Sequence, residues 1–136
     1  GATHTISPAS GDVSKQVFAI VGEDGVDCAI EAVGIPATWN MCQDIVKPGG
    51  HIAVVGVHGQ SVDFKLEKLW IKNLAITTGL VNANTTEMLM KAISSSSVDY
   101  TKMLTHRFKF SELEKAYDVF KHAAENQAMK VVLEAD

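Results

Sequence analysis

The sequence predicts an α/β fold built on a parallel sheet, from three observations. Apolar, β-rich runs alternate with stretches of helical periodicity, and short glycine-containing turns separate them. The runs at residues 26–32 and 51–57 are also too continuously apolar for strands with one wet face. Alternation of this kind is the pattern of strand, crossover helix and parallel strand, joined with right-handed connections. With 136 residues and 46% hydrophobic content, the chain is long enough to bury one core of its own.

Each element has a local cause. Asp12 or Ser10 caps a helix on which Val13, Val17, Ile20 and Val21 recur at helical spacing, and Gly22 stops it. This helix is expected to pack on a sheet. Residues 26–32 read as a strand covered on both faces, although Asp27 and Glu31 interrupt its apolar run. Pro36 falls in the first turn of the next helix, where its missing N–H costs little, and Trp39, Cys42, Ile45 and Val46 form that helix's inner stripe. Pro48, Gly49 and Gly50 are expected to end it sharply, before a strand at 51–57 and a glycine-containing loop at 58–60. Residues 64–71 are ambiguous, a short helix being one reading, and residues 74–78 are β-rich enough for another strand.

After Gly79 and Leu80 the composition turns polar. Asn84 and Glu87 read as a capping pair for a helix carrying Leu89, Ala92 and Ile93, and residues 94–97 read as a loop. Residues 104–108 read as a short strand, and Ser111 with Glu114 as a capping box. Leu113, Ala116, Tyr117, Phe120 and Ala124 then line one helix face, and residues 129–133 close the chain as a strand. There is no internal repeat.

Bulk properties exclude several classes of function. Net charge is −4 and the basic residues are scattered, so the chain has no electrostatic footprint for nucleic acid or for an anionic membrane. Its longest apolar runs fall far short of a membrane span and nothing at its start reads as a signal peptide, which makes the cytoplasm the expected compartment. Cys28 and Cys42 form no C-x-x-C pair and are expected to be reduced, buried small hydrophobes. The chain opens on Gly1 rather than Met, which reads as an excised piece or a trimmed N-terminus.

The segments GAT at residues 1–3, GVDCAIEAVG at 25–34, IVKPGGHIAVVGVHG at 45–59, WIKNLAITTGL at 70–80, LTHRF at 104–108 and AMKVVL at 128–133 resemble, in order and spacing, the C-terminal part of the medium-chain, zinc-dependent alcohol dehydrogenases. The resemblance covers nearly the whole chain. It implies a partial Rossmann-like parallel sheet lacking its first βαβ unit, followed by a C-terminal αβαβ extension. Residues 1–80 would be the C-terminal half of a dinucleotide-binding domain, and residues 81–136 a segment that completes the catalytic domain. In such a subunit zinc polarises an alcohol oxygen and NAD or NADP accepts the hydride.

The same resemblance assigns cofactor contacts. Ala32 and Val33 match the strand end beside the dinucleotide, and Val55, Gly56 and Val57 match the segment facing the nicotinamide. Thr77 and Thr78 match the strand end whose backbone bonds the carboxamide, and Lys130 matches a basic residue reaching the pyrophosphate. Ligands do bind outside the carboxyl ends of parallel strands, and small residues there let backbone groups approach closely. The family's glycine-rich phosphate loop, its acidic ribose ligand and its zinc ligands match positions upstream of Gly1, so no residue here is assigned a catalytic or metal-binding role.

Read on their own, several of these residues have plainer explanations. Gly56 and Gly59 suit ordinary strand-end turns. His4, His51, His58, His106 and His122 show no metal-ligand spacing, and His58 reads as a solvated loop residue. Glu31 reads as a buried, hydrogen-bonded structural carboxylate, and Trp39 and Trp70 as core or interface packing. Competing functions are a zinc-free, quinone-reductase-type oxidoreductase, a methyltransferase, or a non-catalytic dimerising module. The expected partners are a small alcohol or aldehyde and a second copy of the chain, and these residues alone are expected to turn over nothing and to bind NAD(P) weakly.

Overall fold

The computed structural model describes residues 2–95 and 99–136. They form an α/β structure with parallel sheets, divided into two compact units, residues 1–81 and 82–136.

The first unit holds α1 (Val13–Val21), β1 (Val26–Glu31), α2 (Pro36–Ile45), β2 (Val46–Val54), the short α3 (Leu66–Leu69) running into a 3₁₀ turn at Trp70–Lys72, and β3 (Ala75–Thr78). The strands pair in the order β1-β2-β3, all parallel. A core of Ala29, Trp39, Cys42, Val46 and Ile52 fixes α2 against β1 and β2. Pro36 sits at the start of α2 as expected, and Asp12 caps α1 by accepting from the Lys15 N–H at 3.1 Å.

Gln43 extends this core with polar bonds. It is 1% exposed; its Oε1 accepts from Lys65 N at 2.9 Å and its Nε2 donates to the Asp63 carbonyl at 3.1 Å. Trp39 Nε1 donates to the same carbonyl at 2.7 Å, so α2 holds the loop before α3 through three bonds. Each buried polar group of this staple has a partner, which is what makes its burial tolerable.

Several expectations need correction. Pro48, Gly49 and Gly50 do not lie between helix and strand: α2 ends at Ile45, and β2 begins at once, with Val46 opposite Val26. The ladder then skips from Val26↔Val46 to Cys28↔His51, so residues 47–50 bulge out within the strand. β1 is covered on one face only, since Ala29 and Glu31 are buried whereas Cys28 and Ile30 are exposed. Cys28 is therefore not a buried thiol, and Cys42 is. α1 lies against α2 rather than on the sheet and buries none of its residues, because β1 is the edge strand and no further strand extends beneath it. Trp70 is 68% exposed and belongs to no core.

The second unit holds α4 (Thr86–Ser95), β4 (Leu104–Lys109), α5 (Leu113–Lys121), α6 (Ala123–Asn126) and β5 (Lys130–Glu134), the expected αβαβ order except that its second helix is split in two. β4 and β5 pair in parallel and α5 packs on both, burying Ala116. Capping differs from expectation. Asn82, not Asn84, accepts at the start of the turn before α4. Ser94 and Ser95 are helical, their hydroxyls bonded back to the Met90 and Lys91 carbonyls, while residues 96 and 97 lie outside the described residues. Ser111 does not pair with Glu114; it bonds Asp136, and Glu112 accepts from the Lys109 N–H instead. The helix breaks at His122, so Ala124 does not share a helix with Leu113 and Phe120.

Candidate functional site at the strand ends

Glu31, the last residue of β1, organises the carboxyl end of the sheet. Its carboxylate is 1% exposed and meets four donors: Val33 N at 3.0 Å, Gly34 N at 2.9 Å, the Thr38 hydroxyl at 2.5 Å and His58 Nε2 at 3.1 Å. Its own carbonyl accepts from Val55 N at 2.8 Å and Gly56 N at 3.1 Å. One residue thus ties together the exit of β1, the first turn of α2 and the exit of β2. Burial pushes the carboxyl pKa up, but the bonds from Thr38, Gly34, Val33 and His58 outweigh it and hold the group down at about 2.

The two exit segments press on each other with no room for side chains. A Cβ on Gly34 would meet the Val57 backbone, and φ there is +89°, a left-handed value that glycine adopts without strain. A Cβ on Gly56 would meet Glu31 Oε2 and the Gly34 and Val33 nitrogens. Gly56 therefore has a structural reason to lack a side chain, beside any role near a ligand.

Seven of the eight residues singled out above lie at this end of the first unit. Ala32 and Val33 follow β1, Val55, Gly56 and Val57 follow β2, and Thr77 and Thr78 end β3. Ala32, Val33, Val55, Val57, Thr77 and Thr78 are exposed, so their backbone and side chains are available to a ligand. Val55, Thr77 and Thr78 also line one cleft of about 480 Å³, with Ala53, Val54 and Leu80, which falls within the size range of small-ligand sites. Lys130 is exposed on β5 of the second unit, where it borders an apolar hollow of about 270 Å³ with Tyr117 and Phe120.

His58 departs from expectation. Its side chain is only 18% exposed and is bonded to Glu31, and its Nδ1 is buried without a partner, so it is not a solvated loop residue. Thr38 carried no signal in the sequence beyond its place two residues after Pro36. Among the described residues, no group of three or more His, Cys, Asp or Glu side chains is placed to hold a metal ion. These residues therefore do not fit a zinc site, and no chemical step is assigned to zinc here. No helix among them is long and apolar enough to cross a membrane.

A zinc-dependent alcohol dehydrogenase from Streptococcus pneumonia is 48% identical and superposes with a TM-score of 0.88; the match covers 100% of this chain and 39% of that one. An alcohol dehydrogenase of Cupriavidus necator is 31% identical over 113 residues, 80% of this chain and 31% of its own. An L-threonine 3-dehydrogenase of Shewanella woodyi is 26% identical across 100% of this chain and 39% of its own. The chain thus spans well under half the length of the relatives it matches. The zinc-binding dehydrogenase profile matches residues 1–95, taking in the whole strand-end site, and on that match the chain belongs to the zinc-binding dehydrogenase family.

Proposed function

We propose that residues 1–80 form the nicotinamide-side half of an NAD(P)-binding domain and that residues 81–136 complete the catalytic domain of an alcohol dehydrogenase. The observation that carries this reading is the convergence of Ala32, Val33, Val55, Gly56, Val57, Thr77 and Thr78 on the carboxyl ends of three parallel strands, where such folds bind ligands. When bound, the nicotinamide would supply the acceptor for a hydride from the alcohol carbon, the hydroxyl proton passing to solvent as the carbonyl product forms. This chain's part is to hold the ring: Val55 and Val57 present their exposed side chains to it, Gly56 keeps the backbone between them clear, and the Thr77 and Thr78 backbone orients its carboxamide. The parallel pairing of β4 with β5 at the end of the chain favours this over a methyltransferase, whose sheet ends in an antiparallel hairpin.

The decisive experiment follows nicotinamide absorbance with the full-length polypeptide, small alcohols and NAD⁺ or NADP⁺, before and after chelation. Alcohol-dependent reduction that chelation abolishes is expected. Metal-independent oxidation of NAD(P)H by quinones, without alcohol activity, would replace this reading with the quinone-reductase one. We further propose that the 136 residues alone bind NAD(P) weakly and turn over nothing, which calorimetry showing tight binding would refute. The compartment proposed is the cytoplasm, where the free Cys28 and Cys42 thiols stay reduced.

A further inference from the structure

We propose that Glu31 and His58 act as a bolt that positions the 55–58 segment for the nicotinamide end of the cofactor, and that Glu31 is a positioning residue and not only a core carboxylate. The inference rests on the cofactor reading given above and adds to it the residues that set the site's geometry.

Its basis is the distribution of bonds around one side chain. Oε1 of Glu31 holds the β1 exit and α2 through Val33 N, Gly34 N and Thr38 Oγ1, and Oε2, which Gly34 N also reaches at 3.2 Å, is the atom that His58 meets. The first set lies within seven residues in sequence, but His58 is 27 residues away. The His58 bond is thus the only side-chain hydrogen bond among the described residues that joins the loop after β2 to the end of β1. It works beside the two backbone bonds from Val55 and Gly56 to the Glu31 carbonyl, so the segment is held at both of its ends. Val57, which lies between those anchors, is 83% exposed, and Val55 is 61% exposed. Two exposed apolar side chains on a backbone fixed from below form a presented surface, and a bound ring is what such a surface fits.

The ring's orientation bears on this role. With Nε2 donating to the carboxylate, Nδ1 is left facing the protein with no partner. An uncompensated buried nitrogen is a cost that a mere space-filling residue would not carry. The bond to Glu31 is the interaction that keeps the imidazole there.

The test compares two ligands of the full-length polypeptide: the reduced cofactor, NADH or NADPH, and the matching ADP-ribose, which lacks the nicotinamide. In Glu31→Gln and His58→Ala the Kd of the reduced cofactor is expected to rise about tenfold, the usual effect of one lost charge-assisted bond. The Kd of ADP-ribose is expected to stay unchanged. His58→Gln, which keeps an N–H donor, should recover most of the affinity for the reduced cofactor. Equal weakening of both ligands, or no weakening of either, overturns the inference. If Glu31→Gln does not fold, His58→Ala decides, since residue 58 lies in a loop outside the apolar core. A wild-type protein that binds neither ligand refutes the cofactor reading itself and this inference with it.

Discussion

Glu31 is charged, fully buried and surrounded by donors, so its ionisation is coupled to folding. Its carboxyl is held from an ordinary 4.5 to about 2, which means that between these values the unfolded chain binds a proton that the folded one does not. The stability it contributes is present above pH 4.5 and is lost as pH falls through that window. Thermal melts should show a steep decline below pH 4.5 that is weaker in Glu31→Gln. Gly56→Ala should lower stability by about 1–3 kcal/mol in urea titrations, because the new methyl must displace Glu31 or the loop at Gly34. At this scale the sequence was partly legible. Burial of Glu31 could be read from its apolar neighbours and its strand-end position. Its pairing with His58 could not, since it depends on two loops 27 residues apart meeting in space.

Among the elements, α2 carries the most structure. Trp39, Cys42 and Ile45 of its inner stripe were legible from spacing, whereas Val46 opens β2 instead, and the three bonds linking Trp39 and Gln43 to residues 63 and 65 were not legible, because a glutamine in a helix reads as a solvated position. Gln43→Ala should cost about 1–3 kcal/mol in denaturant titrations, since it leaves the part-buried Lys65 N–H without its acceptor. Ile52→Ala, at 0% exposure in the central strand, should cost about 2–5 kcal/mol by the same measurement. The bulge at 47–50 escaped the sequence reading for a related reason. A Pro-Gly-Gly run marks a break in local geometry, but local geometry does not say whether the break falls before a strand or inside one.

For the whole chain, the parallel α/β class and the order of elements followed from periodicity, whereas the coverage of each sheet face did not. β1, read as buried on both faces, is buried on one, with Ile30 65% exposed, and all four residues of β3 are exposed. A free edge beside exposed apolar residues favours association with another chain. We therefore propose a homo-oligomer, and light scattering should show a mass above one chain at micromolar concentration; a monomer throughout would refute it.

The strand order β1-β2-β3 also dictates how the backbone of the first unit exchanges its amide hydrogens with solvent. β2 is bonded on both sides over residues 51–54, whereas β1 and β3 direct every second amide outward, away from β2. Exchange should therefore be slow and even along that part of β2, and should alternate between slow and fast along its two neighbours. Protection would thus record the sheet's topology residue by residue.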